Sequence, residues 1–426
     1  MRRTLAFGIT LVALAACTDL TTLTQSNPGA LSTATVYTPL NAPLIVNGAI
    51  SDFECAFSRY VVGSGVFTDE LANGISNGAN FDYDRRTLQT GASYGTGTCG
   101  SNQQAPIYTP LSIARRSADT AIAYLKGWTD AQMPAGVNRT KLIGQSYAYA
   151  GYSLVLMGEG MCSAAINLGP ELTPAQMFAE AKSRFDSAIV AATSASDAAT
   201  VGFATLGRAR TQLDLGNVAA AGTDAALIQP GFVTNMSTDA INIRRENFVF
   251  FTINNSNFAT VDASFRGLTV NGAPDPRVAV TNTGATGSAG PSSQIWTVDK
   301  YPSLSTVMPI ARYAEAQLIV AEAKAAAGDL AGSVLAINAA RATHAGLPAY
   351  DGTGQGAAQL KTQIIEERRR ELFLEGHRLG DLRRYNLAFT PASGTPYPNG
   401  ATYGTQTCFP LPDVERINNP NISKTP

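Results

Sequence analysis

The stretch Ile364-Ile365-Glu366-Glu367-Arg368-Arg369-Arg370-Glu371-Leu372-Phe373-Leu374-Glu375-Gly376-His377-Arg378-Leu379-Gly380-Asp381-Leu382-Arg383-Arg384 decides the fold. Written on a helix, it sets Ile365, Arg368, Leu372 and Glu375 along one stripe, so charged side chains share a face that otherwise reads as buried. Arg368 and Glu371 stand three apart, Glu371 and Glu375 four apart. Buried charges need partners, and the spacing predicts ion pairs between this helix and its neighbours. The same carboxylates could serve as a catalytic acid and base. Carboxylates paired with arginine stay ionised, however, opposite to what a general acid requires, so the structural reading is preferred and no catalytic residue is assigned.

Outward from this stretch the chain is mostly amphipathic helix. Residues 39–72 carry Leu44, Ile45, Ile50, Phe53, Phe57, Tyr60 and Val61 at spacings of three and four. Pairs follow at 107–126 with 138–157, then 174–192 with 202–214 and 217–228, each joined by a Gly, Asn or Pro break. Small residues at Ala204, Gly207 and Ala209 allow close helix approach, Leu215-Gly216-Asn217 forms a break, and the layout recurs over 311–327, Gly328-Asp329 and 330–342. This grammar resembles tetratricopeptide helix pairs. Residues 73–104 and 281–293 read as loops, and Phe248 to Ile253 as β-like. The expected fold class is all-α: tetratricopeptide-like pairs forming a scaffold over 39–228 and 306–390, a loop-rich second face with minor β from an insertion at 229–305, and an extended segment at 391–426.

Composition narrows the function. The 426 residues contain 45% hydrophobic but only 15% charged residues, below the roughly 25% usual for soluble domains. Lys plus Arg (31) nearly cancels Asp plus Glu (32), which argues against a nucleic-acid partner. His344 and His377 are the only histidines, so a multi-histidine metal site is excluded and no metal or cofactor is assigned. No HExxH helix or Walker loop occurs, and Gly95 to Gly100, which fits GxGxxG, lacks the flanking strand and helix of a dinucleotide site.

The N-terminus supplies an address. Arg2 and Arg3 precede an apolar run from Leu5 to Ala16 that is too short to span a bilayer, and Leu14-Ala15-Ala16-Cys17 then follows as a lipobox. Residues 1–16 are read as a signal peptide, Cys17 as the site of lipid attachment, palmitate included, and residues 17–38 as a tether. The body, 39–426, is one domain. Cys55, Cys99, Cys162 and Cys408 remain, an even number in an oxidising compartment, with three possible pairings.

The signature identifies a family. Glu367-Arg368, Glu371-Leu372, Glu375-Gly376, Arg378, Asp381-Leu382 and Arg384 follow one for one the ER-x-x-EL-x-x-EG-x-R-x-x-DL-x-R pattern of the SusD/RagB family, which the chain resembles. Tyr313-Ala314-Glu315 with Ala321-Glu322-Ala323, Asn338 with Arg341, Asp275-Pro276-Arg277 and Phe409-Pro410-Leu411-Pro412 are similar to its other motifs. Thr343 and His344 depart from the usual residues after the Asn338 motif. The resemblance implies a nutrient-binding lipoprotein of the outer membrane, anchored by lipid and facing outward. It would capture a glycan, an oligosaccharide or another nutrient for a partner TonB-dependent transporter, without being an enzyme. Sugar rings stack on aromatic side chains, so Tyr83, Tyr94, Tyr108, Trp296 and Tyr301 in the loops are the candidate ligand contacts. A tetratricopeptide-like adaptor and a secreted helical glycosidase are the rival readings. Replacing Cys17 by Ser is expected to abolish palmitate labelling of the protein in cells; undiminished labelling would remove the lipobox reading.

Overall fold

The computed structural model describes residues 33–100, 104–288 and 294–424. Residues 1–16, read above as a signal peptide, and Cys17 lie outside the described residues. Helices dominate, and every sheet among the described residues is two-stranded. Long helices Ala42–Phe67, Tyr108–Gly127, Arg139–Gly160, Pro174–Ser194, Ala198–Asp214 and Val218–Ala225 pack in succession. Val218–Ala225 then meets Tyr313–Ala326, so the chain leaves the stack at Ala225, builds the loop face and returns. Leu330–Arg341, Ala357–Glu371 and Arg378–Arg384 complete the scaffold.

Local chemistry sets these boundaries. Thr173 and Gln176 form a capping box at one helix start, and Asp197 and Asp329 cap two others. The predicted breaks at Gly216 and Gly328 fall in the left-handed region, at φ +77° and +80°, closing two helix hairpins. Segments expected to be amphipathic bury more than one face. From Phe53 to Phe67 every residue of the first helix is buried, since the scaffold covers one side and the loops cover the other.

Packing at the helix crossings depends on missing side chains. The Phe185 ring, fully buried, lies against Gly151 and Gly207 on two neighbouring helices, and Tyr152 stacks on Phe203 with ring centres 4.3 Å apart. A side chain at Gly207 would collide with Phe185 and come within 2.9 Å of Tyr152. Two disulfides tie loops to this core. Cys55–Cys99 clips the early loop to the first long helix, and Cys162–Cys408 holds the C-terminal segment beside the end of Arg139–Gly160, where Phe409 also bridges to Met161. Each is worth on the order of 2–4 kcal/mol by restricting the unfolded chain.

Several local expectations are corrected. Phe248–Phe250 is helical and runs into a wider turn at Phe251–Asn255. Asn247 caps it, and Phe248 stacks on Phe251 three residues on, a contact a strand would not make. Within the expected loop 281–293, Val280–Thr286 is a strand paired with Gln294–Val298. The loop 73–104 holds helices at Gly78–Asp84 and Ser93–Thr96. The end of the segment read as tether already packs on the body, with Tyr37 stacked on Tyr124 at 4.4 Å. The signature stripe is broken too: its helix ends at Glu371, and Leu374 (φ +55°) and Gly376 (φ +76°) turn the chain before Arg378. Gly207→Ala is expected to lower stability by about 1–3 kcal/mol through overpacking, although Ala favours an exposed helix by up to about 1 kcal/mol. A Tm equal to or above wild type by calorimetry would contradict the close approach.

Candidate functional site

The signature residues are all engaged in ion pairs. Glu367 accepts from Arg277 and Arg341; Glu371 accepts from Arg312 and His344; Glu375 accepts from Arg312 and Lys300. Arg368 and Arg384 both reach Asp381 at 2.9 Å, Arg384 also meets Glu322 at 2.7 Å, and Arg378 grips Asp69 through two bonds of 2.6 Å. Burial pushes the Glu371 carboxyl up, but the His344 hydrogen bond and the Arg312 charge outweigh it and hold it at about 2. Asp381 is likewise lowered against its burial by Arg368 and Arg384. Glu371 and Asp381 are therefore held ionised, and the paired groups form a framework and not a proton-transfer pair. His344, a departure from the family pattern, earns its place as a partner of Glu371. Among the described residues no group of three or more His, Cys, Asp or Glu side chains could hold a metal ion.

The framework positions the loop face. The segment after the first long helix carries Asp69, bound to Arg378, and Glu70, whose Oε1 accepts from the Leu374 backbone N–H at 2.8 Å. Leu71–Asn73 then pairs with Ala259–Val261. Thr260 accepts a hydrogen bond from the Trp296 backbone N–H at 2.8 Å, and the Arg266 guanidinium sits 5.4 Å over the Trp296 ring. On the other side of Asn73 lies Asp84. It accepts from the Asn73 backbone N–H (2.8 Å), the Tyr397 hydroxyl (3.0 Å) and the Tyr403 hydroxyl (3.4 Å). Tyr397 and Tyr403 face each other across a hairpin, edge to face at 5.3 Å. Phe81 meets Tyr397 at 5.6 Å, and the Arg86 guanidinium lies 5.1 Å from the Tyr403 ring. Phe81, Tyr403 and Trp296 are each half-buried. Asp262, near Arg266, also lies close enough to Asp84 and Tyr403 to push both their pKa values up, in addition to burial, which puts the two clusters in one neighbourhood.

This arrangement corrects the aromatic assignment. Tyr83, Tyr94, Tyr108 and Tyr301 are buried in the core. Three of their hydroxyls donate to backbone carbonyls, Tyr83 to Ala105, Tyr94 to Pro410 and Tyr301 to Leu374, and Tyr108 accepts from Ala165. Buried rings with satisfied hydroxyls offer no face to a ligand; they hold the loops down. Of the five, Trp296 alone is only half-buried. Phe81, Tyr397 and Tyr403 were missed. Their signal was Asn399-Gly400 between two tyrosines, a hairpin-turn pattern.

Three buried carboxyls behind this face carry raised pKa values, chiefly by burial: Glu70 at about 8, Glu315 at about 7 and Asp84 at about 6. Their protonated forms are favoured in the fold, so their stabilisation is complete below about pH 4 and is lost as pH rises towards 6–8. Glu371 and Asp275, both held at about 2, act oppositely and protect the fold above about pH 4. The three raised carboxyls lower Tm as pH rises from about 5 to 8, while buried His377, held well below the usual imidazole range by burial and the Arg210 charge, acts the other way below about pH 6.5. Glu70→Gln keeps an acceptor for Leu374 and is expected to raise Tm at pH 8 and flatten the decline. A Tm profile unchanged by the substitution would contradict the raised pKa.

Comparison with known proteins agrees with this architecture. Residues 263–426 match the model of the SusD family. No curated protein matches the chain. Among solved structures it is similar to a SusD homolog from Bacteroides thetaiotaomicron, at 15% identity and TM-score 0.68, covering 92% of this chain and 98% of that one. It is similar to a SusD-like carbohydrate binding protein from Bacteroides vulgatus, at 15% identity and TM-score 0.64, covering 90% and 97%. A laminarin binding SusD-like protein is similar at 14% identity and TM-score 0.65, covering 90% and 98%. Identities this low speak to the fold. Residues 263–426 thus carry a SusD-family segment, and the fold of the chain as a whole is similar to that of SusD-like structures.

Proposed function

We propose that this protein is an outer-membrane, lipid-anchored captor that binds a glycan or oligosaccharide on its loop face and delivers it to a partner TonB-dependent transporter. The observation that carries the binding step is the set of half-buried rings at Phe81, Tyr403 and Trp296, with the half-buried Arg266 guanidinium beside Trp296 and the buried Asp84 and Arg86 bracing Tyr403 from beneath. A sugar ring has apolar C–H faces that stack on such rings and hydroxyls that exchange hydrogen bonds with carboxylates and guanidiniums. Two similar structures support the ligand class, one described as carbohydrate binding and one as laminarin binding. Among the described residues no helix is long and apolar enough to cross a membrane, which accords with attachment through Cys17. The signature carboxylates support binding over hydrolysis, because Glu371 is held ionised by its partners and a glycosidase needs a protonated acid.

Calorimetry with a panel of hexasaccharides, laminarihexaose first, tests the reading. Trp296→Ala and Tyr403→Ala are each expected to weaken binding about tenfold, equivalent to about 1.4 kcal/mol. Tyr94→Phe, in the core, is expected to leave affinity unchanged. Full affinity in both ring-removal variants would remove the loop-face assignment, and no glycan binding by the wild type would favour the adaptor reading.

A further inference from the structure

A second cleft, of about 410 Å³, opens where the helix Ala357–Glu371 faces two loops that the family motifs hold in place. One wall is the hairpin Thr269–Val270 with Ala273–Pro274, turned by Asn271 (φ +51°) and Gly272 (φ +83°). Arg370 donates to the Thr269 carbonyl at 2.9 Å and fixes that wall to the helix. The other wall carries Tyr350. Asn338 clamps its backbone from both sides, accepting from the Tyr350 N–H at 2.7 Å and donating to its carbonyl at 3.1 Å. Arg341, three residues on, lies 5.5 Å over the Tyr350 ring and reaches Glu367 behind it. Two motifs noted in the sequence, the Asn338–Arg341 pair and the arginine-rich signature, therefore build the two sides of one cleft.

The lining selects a class of ligand. Arg277, Arg341 and Arg370 line the cleft with Asp351, Glu366 and Glu367, three guanidiniums against three carboxylates, and Asp275 stands behind them paired to Arg277 and Arg370. Every lining guanidinium already has a carboxylate partner, so an anion finds no uncompensated positive charge. Among the described residues the Tyr350 hydroxyl, the Asn271 carboxamide and the Gln363 carbonyl make no hydrogen bond. A half-buried aromatic ring, free neutral donors and acceptors, and a volume in the range of about 300–1,000 Å³ usual for ligand sites suit a neutral, polyhydroxylated molecule. The walls are fixed before anything binds, so little ordering entropy is lost on binding.

We infer that the Tyr350 cleft is a second saccharide subsite, which shares no residue with the loop face and binds one or two sugar units through the Tyr350 ring, Asn271 and Gln363. The inference rests on the glycan reading proposed above, and one experiment separates the two. Hydrogen–deuterium exchange is followed on the full protein with laminarihexaose, maltohexaose, xylohexaose and mannohexaose in turn, and affinities are measured for Tyr350→Ala and for Asn271→Ala at the exposed hairpin tip. Protection at residues 268–274 and 347–353, with affinity about fivefold weaker in both variants, is the expected result. Protection confined to residues 78–86 and 395–404, with both variants at wild-type affinity, would overturn the cleft and leave the loop-face reading standing. Protection confined to the cleft would support it and overturn the loop face, and no protection with any of the four glycans would overturn both.

Discussion

Everything in this molecule depends on a buried chain of guanidinium–carboxylate pairs centred on Glu367, Glu371 and Glu375. Three arginines that reach it come from distant parts of the sequence: Arg277 from the insertion, Arg312 from the strand before the Tyr313 helix, and Arg341 from the following helix. Burying such groups is costly, and a pair that loses one partner leaves an uncompensated charge worth about 3–5 kcal/mol. The network is therefore poor insulation against loss of any member but a strict specification of geometry. It fixes where the insertion returns to the helical stack and which side of the stack the loops cover.

The consequence for function lies in how short the path is from this network to the loop face. Arg378 holds Asp69, Glu70 holds the Leu374 backbone, and the next residues are the strand that pairs with Ala259–Val261 and supports Trp296. Asn73, at the end of that strand, bonds Asp84, on which the Tyr397 and Tyr403 hydroxyls converge. Half-buried aromatic rings of the loop face are thus anchored through hydrogen bonds and ion pairs to the buried network of the core. A face built this way can be rigid even though its backbone is irregular, which suits a binding surface with little to reorganise.

Much of this was legible in the sequence, and the reasons for the rest are specific. Helix positions followed from spacing and from Gly216 and Gly328, because local periodicity and turn chemistry act within a few residues. The need for ion pairs around the signature was legible as well, since charges on an apolar stripe must find partners. The partners themselves were not: Lys300 and Arg312 are over sixty residues from Glu375. Loop aromatics were the least legible. Tyr83, Tyr94, Tyr108 and Tyr301 sit in segments with no helical period of their own or at their edges, like exposed residues, yet tertiary packing closes over them. The β-like run at Phe248 lost to an Asn247 cap and an aromatic contact three residues apart. The disulfide pairing depended on distances between segments up to 246 residues apart, which four cysteine positions do not encode.

The central claim is that this scaffold captures cargo and hands it on. Isolation of the intact protein from native outer membranes, with co-purifying proteins identified by mass spectrometry, tests that most directly. The account predicts recovery of a large TonB-dependent barrel. Its absence from membranes in which the protein is abundant would contradict the delivery role and leave a fold shared with captors but put to another use.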